Sequence, residues 1–143
     1  MELMGVYDEA LVEPLARVLA NLGVKKAMVV YGQDGLDEIS MSAPTTVCEV
    51  KDGEFLSYVI TPEQFGFTRC SKDELIGGSP RDNAQIALAI LKGEKGPRRD
   101  AVVLNSAAAI HIAKGISIED AIREAQEVID SGKALAQLEQ FAA

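Results

Sequence analysis

Cysteine and basic charge are both scarce in this chain of 143 residues, and each shortage removes a kind of chemistry. Cys48 and Cys70 lie far apart and fall in neither CxxC nor Cys/His spacing, so no redox motif or zinc site is written there. They read as two reduced intracellular thiols. Lysine and arginine number 14 against 22 acidic residues, a formal net charge of −8. Nucleic acid and anionic membranes both attract positive protein surface, so neither is expected as a partner. Small anionic ligands stay compatible where a metal or a local basic cluster screens them. No apolar run approaches the roughly 20 residues of a membrane-spanning helix. Met1–Tyr7 carries an acidic residue where a signal peptide would carry basic ones. The expectation is a soluble, cytoplasmic protein with no internal repeat and no low-complexity linker.

What is present suits one domain, since a chain of this size buries about 68–70% of the surface its unfolded form exposes. The most informative stretch is Ala27–Ser40. Met28, Val29, Val30 and Tyr31 read as a short buried strand, and Gly32 and Gly35 mark a sharp exit from it. The loop that follows delivers two adjacent carboxylates, Asp37 and Glu38. In α/β sheets, ligands collect past the carboxyl ends of strands, which is where this pair falls. Taken by themselves, adjacent carboxylates on a turn default to a solvated acidic loop.

Upstream, Leu11, Leu15, Val18, Leu19 and Leu22 repeat at helical spacing and Gly23 closes the helix. Pro14 cannot sit in its interior, so either Asp8–Leu11 is a separate turn or the main helix begins nearer Glu13. Gly23 then leads into the strand Lys26–Tyr31. Downstream, Thr46–Lys51 and Glu54–Ile60 flank Asp52-Gly53, a two-residue hairpin signal. That turn sets Val50 opposite Phe55, Cys48 opposite Ser57 and Thr46 opposite Val59 on an expected core face. Lys51, Glu49 and Val47 with Glu54, Leu56 and Tyr58 form a mixed, half-exposed face.

Thr61–Ser79 looks irregular, with at most one helical turn around Ser71–Leu75. Gly77-Gly78 lacks the strand–GxGxxG–helix setting of a nucleotide loop and reads as a backbone turn. Ser79-Pro80 opens a helix with an expected buried stripe of Ala84, Ala87, Leu88 and Leu91, widened by Ile86 and Ile90. Asp100 is expected to cap a helix over Ala101–Lys114 that is apolar almost all round and so buried on nearly all sides. His111 within it reads as a hydrogen-bonded core histidine with no identifiable acidic partner. Lys95, Arg98 and Arg99 could hold a phosphate, but pairing with surface acids such as Glu94 is the favoured role. Ser117 with Asp120 resembles a capping box for a helix carrying Ile118, Ala121, Ile122, Ala125 and Ile129. Ser131-Gly132 separates it from a last helix with Leu135, Leu138 and Phe141. One central strand and one hairpin are too few strands for a two-layer domain, so the chain looks incomplete.

Read together, GVYDEALVEPLARVLANLGVKKAMVVYGQDGLDEIS, TPEQFGF, GGSPRDNAQIALAILKGEKGPRRDAVVLNSAAAIHIA and IDSGKALAQLE resemble the C-terminal part of the anthranilate phosphoribosyltransferase family. The resemblance covers essentially the whole chain, with several motifs in the family's order. It implies an α/β fold: the C-terminal part of a mixed, mainly parallel sheet domain flanked by helices, with one β-hairpin and a helical C-terminal half. Residues 1–143 would then be a single partial domain, lacking the helical N-terminal domain and the first part of the α/β domain.

The implied activity belongs to tryptophan biosynthesis: transfer of phosphoribosyl from phosphoribosyl pyrophosphate to anthranilate. The implied cofactor is Mg2+, with Asp37 and Glu38 matching the family's metal-binding GLDE pair. The family forms homodimers. Its glycine-rich GTGGD loop, KHGN segment and anthranilate-contacting arginine have no counterpart here, so no catalytic residue is assigned and the isolated chain is expected to be inactive. Tyr31 stands where members usually carry histidine, giving VYG for VHG, and receives no ligand role. Two alternatives remain: a detached, non-catalytic binding or structural module, and a segment of a related pyrimidine nucleoside phosphorylase-like enzyme.

Overall fold

The computed structural model describes residues 1–142, and its sheet is built from four strands in the order β1 (Glu2–Gly5), β2 (Lys26–Gly32), β3 (Thr45–Lys51) and β4 (Glu54–Ile60). β1 runs parallel to β2, while β2–β3 and β3–β4 are antiparallel. The mixed sheet, the hairpin and the helical second half stand as expected. Within this chain, however, one pairing is parallel and two are antiparallel, so the parallel character expected of the larger domain is not carried by these strands. β1 is an addition to the sequence reading. Its four residues are too few to show a period and acquire meaning only through pairing with β2.

The link between β1 and β2 resolves the ambiguity at Pro14. Asp8 caps a short 3-10 turn over Glu9–Leu11, and helix α1 begins separately at Val12 and runs to Asn21. Pro14 thereby falls in the first turn, where its missing N–H is one of the donors that no helical carbonyl could satisfy. The hairpin has the expected register, Val50 opposite Phe55 and Cys48 opposite Ser57. Asp52 and Gly53 both take positive φ, 50° and 88°, as the twist-matched two-residue turn requires.

The expected division of the hairpin into a core face and a mixed face is overturned. β3 is buried on both faces, because Val47 packs towards the C-terminal helices and Cys48 and Val50 pack beneath α1. Exposure is concentrated on the edge strand instead, where Leu56 is 63% exposed. β2 follows the same logic: Met28 and Val30 enter one half of the core, Ala27 and Val29 the other. Each such fully buried valine or methionine contributes about 1.5–3 kcal/mol relative to exposure.

Between the sheet and the helices, Thr61–Ser79 contains two 3-10 turns, Pro62–Phe65 and Lys72–Leu75, rather than one. Ser79 caps α2 (Pro80–Leu91), accepting a hydrogen bond from the Asp82 amide while the Asp82 carboxylate accepts one from the Ser79 amide. The expected stripe on α2 holds only in part: Leu88, Leu91 and Ile86 are half-buried and Ile90 is buried, but its two alanines are not covered. Ala84 and Ala87 are exposed and Ile90 is its one buried residue, so α2 is seated along a narrow line. α3 spans Pro97–Lys114 and is capped by Gly96, with Pro97 at its first position, so it starts before Asp100. It is not covered on all sides either, since Val102 is 39% exposed on one flank. α4 (Ile118–Asp130) buries Ala121, Ile122, Ala125 and Ile129 as the spacing required, and α5 (Lys133–Ala142) lies largely on the surface. Among the described residues, no single helix is long and apolar enough to cross a membrane.

Candidate functional site

The loop after β2 is shaped by backbone geometry before any side chain acts. The Gly32 amide donates to the Leu36 carbonyl at 2.8 Å and the Gly35 amide to the Gly32 carbonyl at 2.8 Å, with Gly35 at φ 88°. Two glycines admit close neighbours. A Cβ on Gly32 would lie 2.8 Å from Asp34 Oδ1, and one on Gly5 would lie 1.5 Å from the Asp37 carbonyl oxygen. The carboxyl end of β1 therefore touches the main chain that presents the acidic pair.

Asp34, which the sequence reading passed over, pins this loop from inside. Its Oδ2 accepts from the Ser40 hydroxyl at 2.8 Å and from the Ser42 hydroxyl. Burial pushes the Asp34 carboxyl upward, but the donors from Ser42 and Ser40 and the amides of residues 34 and 36 outweigh it and hold the group below its ordinary value. Lys72 donates to the Asp34 carbonyl at 2.8 Å, tying the loop to the second 3-10 turn.

Directly after Glu38, Asn105 of α3 clasps the backbone of Ile39. Its Oδ1 accepts from the Ile39 amide at 2.9 Å, and its Nδ2 donates to the Ile39 carbonyl at 2.9 Å and to Ala101 O at 3.0 Å. A lone asparagine in the apolar run VVLNSAAA was the available signal, since a polar side chain there needs partners. Ile39 and Met41, 3% and 0% exposed, anchor the far side of the loop.

Asp37 and Glu38 themselves are exposed, and their carboxylates accept no hydrogen bond and form no ion pair among the described residues. Leu36–Ile39 form one wall of an open cavity of about 610 Å³, completed by α2, the start of α3 and the Leu75–Gly77 segment. Two free carboxylates on a pinned loop supply hard oxygen donors of the kind magnesium takes, one or two from protein with phosphates and water completing the shell. Among the described residues no group of three or more His, Cys, Asp or Glu converges on one point, so an ion held by this pair would need its other ligands from elsewhere.

The remaining sequence candidates have structural partners. Lys95 and Arg99 both reach Asp130 of α4 at 2.9 Å, so Asp130, rather than Glu94, is their acid. Arg98 donates to the Ile76 carbonyl at 2.7 Å. Gly77-Gly78, expected as a backbone turn, is instead irregular chain without a turn ahead of α2, with the Gly78 amide donating to Asn83 Oδ1 at 2.8 Å. His111 is hydrogen-bonded as expected, its Nδ1 lying 2.5 Å from the Ile116 carbonyl, but it does have an acidic neighbour: Glu49 Oε1 stands 3.4 Å from Nε2. Glu49 is 62 residues away in sequence, which hid the pairing. Tyr58 donates to Glu49 Oε2 at 3.0 Å, and burial followed by the Glu49 charge pushes its phenol well above the usual range.

Comparison with known proteins places this geometry. The chain is 62% identical over 142 residues to the anthranilate phosphoribosyltransferase of Methanobrevibacter smithii and 56% identical to that of Lachnoclostridium phytofermentans. In both cases 99% of this chain is matched against 42% of the relative, so the chain spans about two-fifths of the length of these curated relatives. The crystal structure of the Thermus thermophilus anthranilate phosphoribosyltransferase superposes with TM-score 0.87 at 37% identity, over 96% of this chain and 40% of that one. The Saccharomyces cerevisiae enzyme in complex with PRPP and Mg superposes at 0.90 with 28% identity, over 98% of this chain and 41% of that one. The family described as "Glycosyl transferase family, a/b domain" matches residues 1–135, and with nearly its whole length so matched and its sheet and helices recovered in those structures, the chain belongs to that family.

Proposed function

We propose that this chain is the C-terminal part of the α/β domain of an anthranilate phosphoribosyltransferase, acting in the cytoplasm in tryptophan biosynthesis. The remaining three-fifths of such an enzyme carries the helical domain and the first part of the α/β domain. In the reaction, a bond forms between the anthranilate nitrogen and C1 of the ribose while the bond from C1 to pyrophosphate breaks, and the nitrogen loses a proton. The observation that carries this reading is the pair of exposed, unpartnered carboxylates of Asp37 and Glu38, held on a pinned loop at the wall of a cavity. These two side chains would hold magnesium together with oxygens of phosphoribosyl pyrophosphate and water. When bound, the ion supplies neutralisation of the charge that collects on the departing pyrophosphate. The role of the chain's own residues is to position. Asp34 and Asn105 fix the loop on either side of the acidic pair, so the carboxylates meet the phosphates without first being ordered.

The test is a phosphoribosyl-transfer assay following loss of anthranilate fluorescence. This chain is mixed with a polypeptide comprising the part of the Methanobrevibacter smithii relative outside the 142 matched residues. The chain alone is expected to be inactive and the mixture active. Asp37→Asn with Glu38→Gln in the mixture should lower the rate by at least about tenfold and raise the magnesium concentration needed, as loss of charge stabilisation at the transition state requires. Parental rate and parental magnesium dependence in that double variant would overturn the reading, as would an ordinary enzyme rate from the chain alone.

A further inference from the structure

We propose that the cavity at the amino end of α3 binds a small phosphorylated molecule, its phosphate on the Arg99 guanidinium and the free first amides of the helix, its apolar body on α2. The site is separate from the acidic loop, and the proposal does not depend on the transferase reading. The cavity, of about 470 Å³, lies between α2, the connection Glu94–Gly96, the first turn of α3 and Glu74. Gly96 at the helix cap has no side chain to offer, and a Cβ there would meet nothing within 4 Å, so the space beside the helix end is open. Pro97 brings no N–H, and among the described residues the amides of Arg98 and Arg99 donate to no carbonyl or side chain. The first amide engaged within the fold is that of Asp100, which donates to the Gly96 carbonyl at 3.0 Å. Free amides and the positive end of the helix dipole together favour an anion.

Arg99 supplies a second and independent observation. Long helical side chains run back towards the amino terminus, which carries its guanidinium over this first turn and into the lining of the cavity. The residue is only 4% exposed. Its Nη2 is engaged by Asp130 at 2.9 Å, but the buried Nε–H meets no acceptor among the described residues. Buried donors in native proteins are almost always paired, so this one calls for an acceptor from outside the chain. Charge points the same way. Asp130 answers both Lys95 and Arg99 with a single carboxylate, and Arg98 donates only to the Ile76 carbonyl. Of the two acids in the lining, Glu74 is turned to the Ser71 amide and hydroxyl, at 2.8 and 2.9 Å, and Glu94 is exposed, where solvent and salt screen it. A phosphate matches the donors, because its several oxygens can accept from a guanidinium and from main-chain amides at once. Inorganic phosphate alone would leave most of the cavity unfilled, and Ile86, Ala89 and Ile90 of α2 offer an apolar wall to the rest of a larger molecule.

Proton–nitrogen correlation spectra of the whole chain, with the arginine Nε–H signals included, test the proposal. The chain is titrated with phenyl phosphate and with inorganic phosphate in magnesium-free buffer, chloride holding the ionic strength constant. The Arg99 Nε–H signal and the Arg98 and Arg99 amides are expected to move saturably. Phenyl phosphate should bind at least about fivefold more tightly than inorganic phosphate, as burial of its ring against α2 implies. Arg99→Lys keeps a cation for Asp130 and removes the Nε donor, and should weaken binding by about tenfold. Ala89→Glu sets a carboxylate in the cavity without touching the Arg99–Asp130 pair, and should abolish the saturable movement. That variant decides the matter should Arg99→Lys fail to fold. The proposal is overturned by an absence of saturable movement, by movement centred on Asp37 and Glu38, by equal binding of the two phosphates, or by parental binding in Ala89→Glu.

Discussion

Replacing Asn105 by alanine should release the acidic loop from α3, and the size of the effect follows from what is left behind. The amide and carbonyl of Ile39 each lose a 2.9 Å partner in a place where Ile39 is 3% exposed, so water cannot substitute without opening the loop. A buried donor stripped of its partner costs about 1–3 kcal/mol and the carbonyl adds less, for a total of about 2–4 kcal/mol. At this chain length about 3–4 °C is lost per kcal/mol, so the melting temperature should fall by about 6–16 °C. Ala101 O contributes little to the sum, because that carbonyl keeps its helical partner. Differential scanning calorimetry measures the loss, and hydrogen exchange across residues 33–40 should show protection falling there more than in β3 or α4. Asn105→Asp keeps an acceptor for the Ile39 amide but sets a carboxylate against the Ile39 carbonyl, so it should resemble the alanine variant at neutral pH. A melting temperature within about 2 °C of the parent, with unchanged exchange in the loop, would refute the idea that this clasp positions Asp37 and Glu38.

Three further outcomes follow from neighbouring features. Gly5→Ala places a methyl in the space held by the Asp37 carbonyl, so the loop must shift, with a loss of about 1–3 kcal/mol in urea unfolding; an unchanged midpoint would mean that β1 and the loop are not in firm contact. Asp34 is held below its ordinary carboxyl value of 3.8, so its contribution is full above that value and is lost as pH falls through the lower, folded value. Asp34→Asn should therefore reduce stability at neutral pH and flatten the acid limb of the stability curve below about pH 4, and an acid limb of parental steepness would contradict the assignment. Tyr58 is shifted the other way, above its ordinary 10.0, so the folded chain holds that proton more tightly and stability declines as pH rises beyond 10. In Tyr58→Phe the decline should shrink and the latest phenolate absorbance step should disappear.

Local signals made part of this structure legible. The Asp52-Gly53 turn determines the hairpin register because both residues accept positive φ, and Ser79-Pro80 starts α2 because cap and first turn are adjacent in sequence. The acidic pair was legible for the same reason: strand, glycine exit and carboxylates follow one another within a dozen residues. What escaped depends on distance along the chain. Asn105 and Ile39 are 66 residues apart, as the structure pairs them, and no periodicity links them. Ala84 and Ala87 show a different limit. Spacing reveals that a helix face is apolar, but a neighbouring element must exist to cover it, and α2 meets few. β1 is the converse case, four residues without a pattern that become a strand once β2 lies alongside.

The sheet also acts as a partition. The core half containing Met28, Val30 and Val47 shares no residue with the half containing Ala27, Val29, Cys48 and Val50. Cavities opened on opposite sides are thus separated by a hydrogen-bonded layer that does not yield, and their energetic costs should sum as those of independent sites do. The acidic loop is fastened to the Met28 side, through Ile39 and Met41. Substitutions under α1 can therefore weaken the fold as a whole while leaving the placement of Asp37 and Glu38 intact, which makes that side of the molecule the one open to sequence drift.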